Sequence, residues 1–252
     1  MKIKNIKVFS TALLLISLSL NPANADILII GEPTKIPDTP YIELEGYPSF
    51  FKVKEGARFQ DELWEVVENY PINIKNLFEK YHIKLILVEQ DGFLEEKYDH
   101  YGVKGIFDRR QRIVYVEALV KKGIIKDCLE AGVNPEYLEG YDEESLSLKV
   151  YCGTMIHEIS HAIDYIYSDF SQSDKFKTIF DKEWQNIMKT THFNFENKLV
   201  VDNINKPNEY FATAMVVYVL YPEELQEYCP ETYQFISEVI LTINESLDTK
   251  TK

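Results

Sequence analysis

His157, Glu158 and His161 occur in the order His-Glu-Ile-Ser-His, a spacing with a direct physical reading. In an α-helix, residues i and i+4 lie one above the other on the same face. His157 and His161 can therefore turn two imidazole nitrogens toward one Zn²⁺ ion, while Glu158 reaches a water on that ion as general base. The flanking pattern agrees with a helix. Met155, Ile159, Ala162 and Ile166 recur at i, i+4, i+7 and i+11, an apolar stripe suited to burial, and His157, His161 and Asp164 share another face. The expectation is a half-buried helix ending near Tyr167. The alternative is a surface helix with two solvated histidines.

A catalytic zinc usually takes three protein ligands and keeps a fourth position open. The metzincin continuation needs Gly three residues after the second histidine and His three residues further on. Here those places hold Asp164 and Tyr167, which excludes that class. Glu209 is the best remaining carboxylate, in the first turn of a helix opened by Pro207. The helix macrodipole alone also favours a glutamate there. Asp164 lies i+3 from His161, where it can orient a histidine N–H or close a helix-end salt bridge.

Other elements must hold these side chains in place. Residues 26–55 carry Pro33, Pro37, Pro40 and Pro48 and read as an extended lead-in segment. Phe59 to Tyr70 reads as a helix, and Pro71 opens a second one to about Tyr81. Lys84 to Glu89 is a short apolar run expected as a buried strand. Gly105-Ile106-Phe107 and Ile113 to Val116 flank the polar Asp108 to Arg112 and suggest a hairpin. The strand from Arg112 to Glu117 is either a cleft edge that pairs with an extended peptide or part of a core hairpin. The acidic run from Glu136 to Glu144 reads as an exposed loop. Ser171 to Asp174 offers a capping box for a helix to about Met188, Pro207 opens one to about Leu220, and Pro230 opens a last one to about Ile243.

The first 25 residues have the layout of an export signal. Lys2, Lys4 and Lys7 precede an apolar run from Val8 to Leu20, and Ala23-Asn24-Ala25 gives a small-x-small cleavage site. That run is short for a membrane span, so the expectation is export, to the extracellular space, periplasm or cell surface, without stable membrane insertion after cleavage. Removing the segment takes 27 basic and 41 acidic side chains to 24 and 41, a net charge of −17 on 227 residues. Such a charge argues against nucleic acid and anionic membranes as partners. Cys128, Cys152 and Cys229 lack Cys-x-x-Cys spacing, which leaves either one disulfide plus a thiol or three unpaired cysteines.

Three motifs carry a family resemblance: His157 to Asp164 (His-Glu-Ile-Ser-His-Ala-Ile-Asp), Asn208 to Ala212 (Asn-Glu-Tyr-Phe-Ala) and Thr232 to Ile236 (Thr-Tyr-Gln-Phe-Ile). With them, the stretch from Met155 to Asn244 resembles the catalytic domain of the anthrax lethal factor family and the related exported Pro-Pro endopeptidases. Helices with a small sheet first and helices alone after them read as α+β with a cleft between lobes, and the resemblance implies a zincin-like fold over residues 26–252. In it a small N-terminal sheet with helices (about 26–168) faces a helical C-terminal lobe (about 169–252) across a zinc cleft. It also implies one Zn²⁺ held by His157, His161 and Glu209, with Glu158 as base acting on a protein or peptide substrate. The sequence departs from the family at two places. Asp202 stands where a tyrosine seven residues before the glutamate ligand stabilises the oxyanion, and Thr213 stands where an acidic residue follows the ligand by four. Loss of one oxyanion donor costs about a hundred- to a thousand-fold in rate. His192 is either a replacement donor or a plain surface residue. The expectation is an exported zinc metalloendopeptidase; the alternative is a catalytically impaired zinc-binding protein that acts by docking.

Overall fold

A strand that is apolar on both faces must be covered on both sides, and Lys84–Val88 (β2) lies inside a four-stranded sheet. The computed structural model describes residues 42, 44–54, 56–89, 94, 104–130, 133–190 and 205–248. The proposed export signal, His192 and Asp202 lie outside these residues. Phe51–Val53 (β1) runs parallel to β2, which runs parallel to Ile113–Glu117 (β4), and Gly105–Asp108 (β3) closes the order β1-β2-β4-β3 antiparallel to β4. The pairing Leu85↔Val114 and Ile86↔Tyr115 puts alternate residues on opposite faces. Leu85, Leu87, Val114 and Val116 join the main core, whereas Ile86, Val88, Ile113 and Tyr115 pack with Leu94 on the other side.

The helices follow in chain order. Gln60–Glu68 (α1), Ile74–Tyr81 (α2) and Ile124–Glu130 (α3) accompany the sheet. Glu143–Ile166 (α4) is the motif helix, about 36 Å long at 1.5 Å per residue. Asp174–Glu183 (α5), Pro207–Leu220 (α6), Pro222–Tyr228 (α7) and Pro230–Asp248 (α8) complete the chain. The result is an α+β architecture with a small mixed sheet and mostly helices. One continuous apolar core joins Phe50 and Leu77 near the sheet to Phe235 and Ile243 on α8.

Several boundaries differ from the sequence expectation. The second helix begins at Ile74 rather than Pro71, because the Asn73 side chain accepts the Asn76 N–H at 3.0 Å and sets the cap there. The lead-in segment contains β1, extended as expected but incorporated in the sheet. The acidic stretch is not a plain loop. Pro135–Leu138 is a 3₁₀ turn, and Glu143 and Glu144 form the first turn of α4, where negative charge complements the helix dipole. Asp142 accepts the Ser145 N–H at 2.8 Å while Ser145 Oγ accepts the Asp142 N–H at 3.0 Å, a reciprocal cap. Helix α5 stops at Glu183 and passes into a 3₁₀ turn at Asn186–Lys189, and α8 runs on to Asp248. Helices α3 and α7 were not anticipated. Cys128, Cys152 and Cys229 form no disulfide with one another. Among the described residues no helix is long and apolar enough to cross a membrane.

The start of α8 is held by a side chain from α5. Glu183, buried at the end of α5, accepts hydrogen bonds from the N–H groups of Glu231 and Thr232 at 3.1 and 2.9 Å and from Thr232 Oγ1 at 2.8 Å. Tyr210, on α6, is 2.7 Å from the same Thr232 hydroxyl. Three helices thus share one buried polar junction. Replacing Glu183 with Ala leaves three donors, two of them buried, without this acceptor, and unfolding in urea should show a loss of about 3 kcal/mol. An unchanged midpoint would mean that water replaces the carboxylate.

Candidate metal centre

Helix α4 presents two faces with different duties. Met155, Ile156, Ile159, Ala162 and Ile163 are fully buried in the core, which fixes the rotation of the helix about its own axis. Ile166, the last position of the expected stripe, is only partly buried. Ser160, inside the His-Glu-Ile-Ser-His run, is also buried. Its hydroxyl bonds the Ile156 carbonyl at 2.6 Å and lies 3.1 Å from the Tyr70 hydroxyl just beyond α1. With that face locked, His157 and His161 stand on the opposite, half-buried side, their rings 4.7 Å apart and nearly perpendicular.

Helix α6 supplies the third group. Pro207 occupies its first position, where a missing N–H costs nothing, and Tyr210 to Val217 are buried without interruption. A helix apolar all round must lie inside the protein, and α6 does so against α4. Phe176 of α5 meets Tyr210, Phe211 and Phe235 at ring distances of 5.8, 5.5 and 4.9 Å, a cluster that joins α5, α6 and α8. Glu209 therefore projects from the first turn of α6 toward the two histidines. Its Oε2 is 3.3 Å from His157 Nε2 and 3.4 Å from His161 Nε2, and the two Nε2 atoms are 3.0 Å apart.

These distances fit a metal. An ion with tetrahedral bonds of 2.0–2.1 Å spaces its ligands about 3.3–3.4 Å apart, close to the observed triangle. Two nitrogens and a carboxylate oxygen are also the donor set that suits zinc, and His157, His161 and Glu209 are grouped tightly enough to hold one ion. Burial pushes the Glu209 carboxyl up, but hydrogen bonds and charge from His157 and His161 outweigh it and hold the group well below the usual carboxylate range. Glu209 is thus an anion, as a ligand must be.

Glu158 lies on the same helix beside the triangle. Burial pushes its carboxyl up to about 7, with the Glu209 charge adding to that, while His157 and the Phe107 backbone N–H pull the other way. A divalent cation in the triangle would draw the value down, toward the ionised form. Strand β3 passes over this residue at very short range. A Cβ on Gly105 would come 2.5 Å from Thr154 Cγ2 and 2.9 Å from Glu158 Cγ, so only glycine allows the approach.

The remaining site expectations divide. Asp164 is buried, and its two oxygens accept Ser171 N–H at 2.8 Å and Ser171 Oγ–H at 2.6 Å. It ties α4 to the turn after it, and its hydrogen bonds run to Ser171 rather than to a histidine or a cation. The strand at Arg112 to Glu117 is not an edge: β4 lies between β2 and β3, and β3 is the outer strand. Asn208, quoted above only as part of a motif, donates from Nδ2 to Glu209 Oε1 at 2.9 Å. An asparagine next to a candidate carboxylate ligand was the available signal.

Comparison with known proteins adds one finding. Residues 133–239 match the family described as anthrax toxin lethal factor, N- and C-terminal domain. The matched range contains His157, Glu158, His161, Asn208, Glu209, Thr232 and Phe235. No curated protein matches the chain. Replacing Gly105 with Ala should cost about 1–3 kcal/mol through overpacking against Thr154 and Glu158 without removing any of the three grouped ligands. Urea denaturation together with zinc titration checks this; full stability in the variant would show that β3 can retreat from α4.

Proposed function

Taking residues 133–239 as a lethal-factor-like stretch, from a family of zinc metalloproteases, we propose that the protein is an exported zinc-dependent endopeptidase with a zincin-like cleft. The observation that carries this reading is the triangle of His157 Nε2, His161 Nε2 and Glu209 Oε2, with edges of 3.0–3.4 Å, beside the half-buried Glu158. A zinc ion held by His157, His161 and Glu209 would supply Lewis-acid polarisation of the scissile carbonyl and would acidify the attacking water. Glu158 takes the proton from that water and delivers it to the leaving amine. Among the described residues β3 is an end strand of the sheet. An extended substrate backbone that adds to it would lie next to Glu158. Export rests on the residues from Lys2 to Ala25.

Two experiments test the reading. Replacing Glu158 with Ala should leave the zinc content unchanged and lower peptide cleavage by about a hundred- to ten-thousand-fold; undiminished cleavage sinks the mechanism. Stripping zinc with a chelator should abolish cleavage, and adding zinc back should restore it. Wild-type protein that holds zinc but digests no member of a peptide library supports instead an exported binding protein, a reading favoured by Asp202 at the position of the family tyrosine.

A further inference from the structure

A carboxylate has two oxygens, and the three-ligand arrangement uses one of them. Oε2 of Glu209 faces the two histidines, whereas Oε1 accepts the Nδ2–H of Asn208 at 2.9 Å. We propose that Asn208 is a positioning residue for the metal centre: its amide holds Oε1 of Glu209, so that the carboxylate binds through Oε2 alone and keeps the fourth coordination position open for water and substrate. This assignment rests on the zinc-peptidase reading above.

A carboxylate near a divalent ion can swing to bind through both oxygens, and the second oxygen would then occupy the place that catalysis needs. A hydrogen bond to Oε1 opposes that swing, and a neutral amide does so without adding charge. Asparagine is a weak helix former whose side chain normally serves the backbone as a cap. Lys206 is the cap residue of α6 and makes no side-chain cap bond, and Pro207 holds the first position. Asn208 sits in the first turn of the helix, where its amide is given to Glu209 rather than to the backbone. The backbone there is well held, since Tyr210, two residues on, is anchored through Thr232 to Glu183.

The test compares wild type with Asn208→Ala, Asn208→Asp and Asn208→Gln in the full chain. Zinc affinity is measured by competition with a chromophoric chelator, and geometry by the visible absorption of the cobalt-substituted protein. Loss of an orienting partner typically weakens metal binding by about 10- to 100-fold. That loss is expected for Asn208→Ala and Asn208→Asp, with partial recovery in Asn208→Gln, which keeps the amide on a longer arm. The cobalt bands should weaken in Asn208→Ala as the carboxylate adds its second oxygen, and kcat should fall more than KM rises. Should Asn208→Ala fail to fold, Asn208→Asp, of nearly equal size, reads the same loss. Equal zinc affinity and an identical cobalt spectrum in Asn208→Ala and wild type overturn the assignment while leaving the peptidase reading intact. A wild-type protein that takes up no zinc overturns both.

Discussion

The meeting of two imidazole nitrogens and one carboxylate oxygen within 3.4 Å is the constraint on which the rest of the structure turns. Three acceptor-rich atoms do not gather in a half-buried place without a proton or a cation among them, because burial raises the cost of unbalanced charge. Holding them there requires two helices to be fixed in rotation and in depth. Helix α4 is fixed by the buried face of Met155, Ile156, Ile159, Ala162 and Ile163 and by its reciprocal cap at Asp142 and Ser145. Helix α6 is fixed by burial on every side and by the aromatic cluster around Phe176.

The supporting groups lie far from the site in sequence and close to it in space. Tyr70 bonds Ser160 from the N-terminal side, Ser171 bonds Asp164 from the turn after α4, and the Glu183–Thr232–Tyr210 junction secures the residue next to Glu209. Each is a buried polar group with its partners supplied, the condition under which such groups add rigidity rather than a penalty. The small sheet contributes in another way. Its inner face packs on α4, and β3 comes close enough to Glu158 that Gly105 has no room for a side chain.

Much of this was legible in the residues. The continuous apolar run at Lys84–Val88, the hairpin around Asp108 to Arg112 and the proline starts of α6 and α8 all have strong local signals, and each element stands where those signals place it. The failures share a cause. The run from Glu136 to Glu144 is acidic, and acidity marks solvated loops and helix first turns alike. Pro71 and Asn73 both offer a helix start, and the side-chain hydrogen bond of Asn73 decides between them. The strand at Ile113–Glu117 carries no mark of being central or outer, since strand order is set by pairings the local pattern does not contain.

The same division runs through the site. The sequence by itself determined which side chains are fit for the chemistry. It also determined that His157 and His161 share one helix face with Glu158 beside them, because a four-residue spacing is a property of one helix and needs no tertiary information. It could nominate Glu209 but not deliver it. Glu209 lies 52 residues from His157, and its arrival depends on how α6 packs on α4, a matter of side-chain volumes and of a buried polar junction. Only the tertiary structure decided that Asp164 serves the turn at Ser171, that β3 rather than β4 is the outer strand beside the site, and that the Asn208 amide meets the second oxygen of Glu209. Those outcomes follow from close packing, which couples residues without regard to their distance along the chain.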